Sequence, residues 1–272
     1  MRRLTARLRA LFSRSRPPVI HLYCLCWNEE RMLPFFFRHY DPLVERYFVF
    51  DNGSTDQSLE MLAAHPKVTV GAFIAPQDTL IAEARTFYET VWHPSRGVAD
   101  WVFIVNIDEH LYHPDGLDYL ARCKRDDTTA IVTTGYEMVA ADFPRPPETL
   151  RETVTSGVRA EYLDKLCAFR PDAIERLHYT AGRHGAKPEG RVAFPRRPEL
   201  KLLHYKYLGG AYVVARYAEL GARIGASDRG QGWGRHYFQP PESLIETHRQ
   251  LLAGAQPVAG LTVPARRDTP PS

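Results

Sequence analysis

The sequence predicts an α/β domain built on a mostly parallel, Rossmann-like sheet. Three observations predict it. Apolar runs of strand length alternate with segments of helical periodicity up to residue 107, a pattern that implies crossover connections and parallel strands. Three of these runs stop abruptly at acids or amides: the run through Cys26 at Asn28-Glu29-Glu30, the run through Phe50 at Asp51-Asn52, and the run from Trp101 at Asn106-Ile107-Asp108-Glu109. The chain of 272 residues is also long enough to bury a sizeable core.

The elements follow in order. Residues 19–26 form the opening strand. A helix at 30–40 presents Met32, Leu33, Phe36, Phe37 and Tyr40 as an apolar face. Strand 46–51 runs into the turn Asn52-Gly53-Ser54-Thr55-Asp56 and a helix at 56–64, which Ser54, Thr55 or Asp56 can cap. Val68–Val70 is a short strand, 79–92 a helix and 101–107 a strand. After Asp108 the pattern changes. Thr128–Thr134 reads as a strand and 140–157 as a proline-rich loop. Leu166–Phe169, Val192–Phe194 and Leu200–Tyr205 read as short strands between polar, glycine-rich turns. Residues 210–223 read as a helix, 226–234 as a glycine-rich mobile loop, and 241–253 as a last helix before a Pro/Arg tail. The expected organisation is a basic tail at 1–18, a main domain at 19–240 and a C-terminal helix and tail at 241–272.

Charge separates the tail from the domain. Residues 1–16 hold six arginines and no acid, so the remainder carries a formal −3 although the whole chain is +3. A nucleic-acid-binding fold would carry its basic stripe on the domain itself, so no nucleic-acid partner is expected. In the tail, Leu4, Leu8, Leu11 and Phe12 share one helical face among arginines. That pattern fits peripheral contact of residues 2–16 with a membrane surface as well as it fits a disordered terminus. No apolar run is long enough to span a bilayer, and no secretory signal is visible. Cys24, Cys26, Cys123 and Cys167 lack zinc-site spacing and read as reduced thiols in a reducing compartment.

In an open α/β sheet, ligands bind beyond the carboxyl ends of the strands. The three interrupted strands would place Asn28, Glu29, Asp51, Asn106, Asp108 and Glu109 along one crevice. Such a floor suits a nucleotide base, a ribose and a divalent cation. The i, i+2 spacing of Asn106 and Asp108 puts both on one side of an extended segment. Glu29 alternatively caps the following helix, and Asp51 alternatively starts the turn through Asn52.

The order and wording of these segments resemble family 2-like glycosyltransferases, in particular the bacterial branch whose first strand ends in Asn-Glu. Asp51-Asn52-Gly53-Ser54-Thr55-Asp56 is similar to the family's Asp-Asn-Gly-Ser-Thr-Asp turn. Asn106-Ile107-Asp108-Glu109 is similar to its Asp-x-Asp-Glu metal motif, and Leu203-His204-Tyr205-Lys206 to a late His-Tyr-Lys segment. The resemblance covers roughly residues 19–240. It implies a GT-A fold with an irregular acceptor-side C-terminal half. It also implies inverting transfer from a nucleotide diphosphate sugar, with a UDP-sugar favoured, to a glycan or lipid-linked acceptor. The setting would be cytoplasmic synthesis of cell-envelope glycan or a related glycoconjugate.

By the same resemblance, Asp108 and Glu109 are the catalytic candidates. Asp108 and His204 would hold Mn2+ or Mg2+, with His184 the second choice of histidine. Asn28, Glu29, Asp51, Asn52, Arg85, Asn106, Lys206 and Trp233 are the nucleotide-sugar candidates, with Asp51 accepting the uracil N3–H. Lys165 is a further cation for the diphosphate. Trp233 sits in a segment, 225–236, that reads as a lid with Arg229 and Arg235. Glu137, Asp164 and Asp228 are open candidates for the general base that inversion needs. The chain departs from the family at Asn106, where one negative charge is missing. Two other readings stay open: a nucleotide- or sugar-binding module that has lost its chemistry, and a different α/β transferase such as a methyltransferase. Against the latter, no Gly-rich turn follows strand 19–26.

Overall fold

A computed structural model of the protein describes residues 16–146 and 149–261. The predicted amphipathic segment around Leu4–Phe12 lies outside the described residues, as does the tail from residue 262. From the N-terminus the chain forms β1 (Ile20–Cys26), α1 (Leu33–Tyr40), β2 (Arg46–Asp51), α2 (Ser58–Ala64), β3 (Val68–Ala72), α3 (Leu80–Thr90) and β4 (Trp101–Ile104). These four strands are parallel, in the order β3-β2-β1-β4. The mixed α/β class expected from the sequence is the class observed.

Burial on both faces explains the apolar runs. In β1, Ile20, Leu22, Cys24 and Cys26 enter one core with Phe35, Phe36 and Tyr40 of α1. Tyr23 enters the opposite core with Tyr88, Trp92, Val102 and Ile104. A strand covered on both sides has no solvent face to keep polar. The helix expected from residue 30 begins at Leu33. Residues 29–32 form a turn first, with Met32 N–H bonded to Glu29 O at 2.9 Å, and a proline occupies the first helical turn.

The second half begins with β5 (Glu109–Tyr112), α4 (Gly116–Arg125), β6 (Ala130–Val132), β7 (Thr134–Ala140), α5 (Leu150–Thr153), β8 (Ser156–Arg159) and β9 (Leu166–Phe169). It continues with β10 (Ile174–Arg176), β11 (Glu189–Gly190), β12 (Lys201–Leu208), α6 (Gly210–Gly221), α7 (Ala226–Gly230), α8 (Pro241–Gly254) and β13 (Gln256–Pro257). β9 and β6 extend the first sheet beyond β4 in antiparallel fashion. The other strands, apart from the small β10-β11 pair, make a second sheet in the order β13-β8-β7-β12-β5.

Several expectations are corrected. The strand at 101–107 stops at Ile104. Glu109 N–H bonds back to Asn106 O at 3.1 Å, and this tight turn hands the chain to β5 in the second sheet. Asn106 and Asp108 therefore sit in a turn and not on an extended segment. The single strand at 128–134 is two, divided at Thr133, whose N–H and hydroxyl both bond to Lys165 O. The loop at 140–157 contains α5, which opens with a capping box between Thr149 and Glu152. Val192–Phe194 is not a strand, although Ala193 O accepts from both Thr129 and Ala130.

Candidate active site

A cavity of about 700 Å³ opens beyond the carboxyl ends of β1, β2 and β4. After β1 the chain adds β2 and β3 on one side, then β4 on the other. The crevice between β1 and β4 is therefore a topological switch point, where open α/β sheets bind ligands. Trp27, Glu29, Asn52, Asn106 and Asp108 line it from these strand ends. His204 and Lys206 of β12, Tyr212 and Arg216 of α6, and Arg223 just beyond α6 line the facing wall.

Asp108, His204 and Glu137 meet on its floor. His204 Nε2 donates to Asp108 Oδ2 at 3.1 Å and Nδ1 donates to Glu137 Oε2 at 2.9 Å. Burial opposes charge on all three groups, but their mutual contact outweighs it. Both carboxyls are held below the usual carboxylate range. Burial would lower the His204 pKa, but its two carboxylate neighbours push it up to about 10. The cluster is thus an imidazolium between two carboxylates. Tyr162 donates its hydroxyl to the other oxygen of Glu137.

Glu109 does not join them. It is fully buried, and its carboxylate accepts from Lys165 Nζ at 2.6 Å and from Arg183 Nη2 at 2.7 Å. Burial raises its pKa, but these two cations outweigh burial and hold the carboxyl far below its ordinary value. It also accepts the Asn106 N–H at 2.8 Å. Glu109 therefore fixes the turn and presents no oxygen to the cavity, so a direct catalytic contact is not supported. The physical reason is strand parity: β5 turns Glu109 away from the crevice that Asp108 faces.

The first two strand ends divide their residues. Glu29 lines the cavity, where Arg216 forms an ion pair with its carboxylate. Asn28 does not line it. Its Oδ1 accepts Thr55 N–H at 2.7 Å, and it holds a left-handed φ of 50°, which Asn tolerates. Asp51 accepts Gly53 N–H at 3.0 Å and Ser54 N–H at 3.1 Å, so its carboxylate shapes the turn. Asn52, one residue on, lines the cavity in its place, with its backbone carbonyl bonded to Arg223.

On the remaining sides, Arg85 lies 5.9 Å from the centre of the Trp233 ring, and both line the cavity. The glycine-rich segment before Trp233 is a short helix, α7, and not an open loop. It is docked on the start of α3 and the turn before it: Asp228 accepts Ile81 N–H at 2.8 Å, and Ser227 N–H donates to Asp78. Lys206 stands 4.4 Å over Tyr217 and makes no ion pair among the described residues. His184 lines the cavity and contacts Tyr162 O at 2.9 Å through Nδ1.

Of the three general-base candidates, Glu137 alone lines the cavity, and it is committed to His204. Asp164 is held by Arg159 and Gly135 N–H, while Asp228 is buried against α3. Sequence reading missed Trp27, Arg183, Arg216 and Arg223. For two of these the signal was present. Tyr212, Arg216, Leu220 and Arg223 follow helical i, i+4 and i, i+3 spacing, which marks one face of a helix.

Asp108 and His204 are the side chains here that could hold a hard divalent cation, and His204 could do so only after Nε2 gives up the proton it donates to Asp108 Oδ2 at 3.1 Å. The Glu137 contact on Nδ1 fixes the ring as metal-ligating histidines are usually fixed. Asn106 is not free to join, because its Oδ1 accepts from Arg183 at 2.9 Å. No cluster of three His, Cys, Asp or Glu side chains suited to a metal occurs among the described residues. Phosphate oxygens and water would complete the shell, as is usual for Mg2+.

No family profile matches the chain. Among curated proteins, it is 22% identical over 248 residues to a glycosyltransferase family 92 protein of Ricinus communis, covering 82% of this chain and 44% of that protein. The chain thus spans less than half the length of this relative. The motifs noted above are similar to family 2, whereas this relative is named for family 92. Among solved structures, S. aureus TarS 1–349 aligns with a TM-score of 0.41 at 10% identity, over 75% of this chain and 65% of that one. The same protein in complex with UDP-GlcNAc aligns with a TM-score of 0.36 at 10% identity, over 75% and 66%. Sequence similarity therefore relates this chain to a glycosyltransferase.

Proposed function

We propose that this chain transfers a sugar from a nucleotide diphosphate sugar, with the cavity beyond β1, β2 and β4 as the donor site. The observation that carries this reading is the meeting of Asp108, His204 and Glu137 at the switch point, next to the Lys206 ammonium, which makes no ion pair among the described residues. Similarity to a glycosyltransferase family 92 protein supports it.

Transfer breaks the bond between the sugar and the diphosphate, and negative charge gathers on the leaving group. Fixed cations in a water-poor site stabilise that charge. Lys206 serves there, with its stem and ammonium set against Tyr217. Trp27, Asn52 and Arg223 lie together in the lining of the crevice and suit the nucleoside. The faces of Tyr207, Tyr217 and Tyr237 suit sugar rings. Mn2+ or Mg2+ held by Asp108 and His204 would supply Lewis-acid stabilisation of the diphosphate. The reading favours a UDP-sugar, a glycan or lipid-linked acceptor, inversion, and a place in bacterial polysaccharide synthesis at the cytoplasmic membrane face. The basic segment at 2–16 would touch the lipid.

A thermal-shift panel of UDP, GDP, CDP and TDP, each with and without Mn2+, tests the donor site. A ligand at about 100 times its Kd stabilises the folded state by about 2.7 kcal/mol, which raises Tm by roughly 5–10 °C in a chain of this size. The expected result is such a shift with UDP, larger with Mn2+. No shift with any nucleotide would overturn the reading.

A further inference from the structure

We propose that Arg183 is a positioning residue, whose guanidinium fixes the turn between β4 and β5 so that Asp108 faces His204. The proposal rests on the donor-site reading for its functional meaning, though the contacts stand independently of it.

Arg183 is 3% exposed and reaches the turn at both ends. Nη1 donates to Ile104 O at 2.8 Å, where β4 stops. Nη2 donates to Asn106 Oδ1 at 2.9 Å and to Glu109 Oε2 at 2.7 Å, where β5 starts. The same Glu109 oxygen accepts Asn106 N–H, so the turn closes on itself around one guanidinium. Asp108 is the acid of this turn that the clasp leaves free, and its side chain is directed to His204.

The segment that carries Arg183 is itself anchored. The Glu89 carboxylate of α3 accepts the backbone N–H groups of Leu177, His178 and Tyr179 at 2.8–3.1 Å. Tyr88 lies beside the guanidinium, 5.2 Å from its ring centre. Arg183 holds a left-handed φ of 58°, which a non-glycine residue keeps only where its surroundings over-determine it. A planar fork with several donors suits three acceptors at fixed angles, and a lysine cannot reproduce it.

This assignment gives Asn106 a purpose. Its amide oxygen is the clasp's third acceptor. An acid there would bring a second carboxylate against the buried Glu109. Asn106 is thus matched to Arg183 and Glu109, and it is not a damaged metal ligand.

The test compares wild type, R183K and N106A, with D108N as the reference for a lost donor contact. Hydrogen exchange reads the amides of residues 105–109, and calorimetry reads UDP affinity with and without Mn2+. In folded R183K, exchange should quicken tenfold or more at 105–109 and stay unchanged in β1 and β2. The gain in UDP affinity from Mn2+ should fall tenfold or more. N106A should change both in the same direction by less. Wild-type exchange and a wild-type Mn2+ gain in folded R183K would overturn the proposal. Should R183K not fold, the same two wild-type results in N106A would overturn it. If wild type binds no UDP, the donor-site reading fails, and the exchange data alone decide whether Arg183 fixes the turn.

Discussion

His204 Nε2 lies 3.1 Å from Asp108 Oδ2, although His204 stands in β12 and Asp108 in the turn between β4 and β5, 96 positions away in sequence. Backbone register sets this contact. β12 runs between β7 and β5, pairing His204 with Glu137 on one side and with Glu109 on the other. Tyr205 N–H then bonds to Asp108 O at 2.8 Å and draws the turn onto the strand. One histidine is thereby placed between an acid on the neighbouring strand and an acid in the turn that joins the two sheets.

Asp108→Asn should remove transfer and the Mn2+-dependent part of UDP binding while leaving Tm within a few degrees of wild type. Asp108 is partly exposed at the cavity, so its loss opens no void in the core. A steady-state assay with the preferred UDP-sugar and a melting curve check this together. Full turnover by the folded variant would sink the role assigned to Asp108.

Glu137→Gln should act through His204. Loss of a carboxylate partner behind a metal-ligating histidine typically weakens metal binding roughly 10- to 100-fold. Titration of Mn2+ in the presence of UDP measures this. Unchanged Mn2+ affinity would count against His204 as a ligand.

Glu109→Ala should destabilise the fold. The substitution leaves Lys165 and Arg183 buried without their shared carboxylate, a loss typically of about 3–5 kcal/mol. Urea denaturation measures it. A wild-type midpoint would reopen a direct role for Glu109 in the chemistry.

The stacked pair His39 and His110, with ring centres 4.5 Å apart, makes stability depend on pH. Burial lowers the His39 pKa from 6.5 to about 4, against a raising contribution from the carbonyl of Leu111, and places His110 well below 6.5. A folded-state value below the unfolded one means that protonation favours unfolding. His39 therefore contributes fully above pH 6.5 and loses its contribution as pH falls from 6.5 towards 4, by roughly 3 kcal/mol. Urea midpoints between pH 7.5 and 5 should fall less steeply in His39→Gln than in wild type. Equal slopes would contradict this account.

The parallel half was legible because its signals are local. Strands buried on both faces read as continuous apolar runs, and β1 and β2 fall within a residue of where the sequence places them. Asp108 and His204 were legible for the same reason, the one just beyond an apolar strand and the other within one. Glu109 was misread because its parity depends on where β4 ends, and a turn closed by Arg183 decides that. Arg183 itself lies next to His184, and nothing local shows that the arginine turns inward. Its acceptors at 104, 106 and 109 are distant in sequence, so the packed structure alone identifies them. Asn28 and Asp51 were placed on the correct strand ends, but turn amides claim their side-chain oxygens.

Arg216 ties α6 to the far end of β1 through Trp27 O at 3.1 Å, Asn28 O at 3.0 Å and the Glu29 carboxylate. This bears on recombination between relatives. A chimaera that exchanges everything after β4 for a segment without an arginine at 216 strands the Glu29 carboxylate in the crevice. Positions 29 and 216 therefore work as a matched pair, and a crossover that respects only the strand boundaries can yield a folded hybrid with a misshapen cavity.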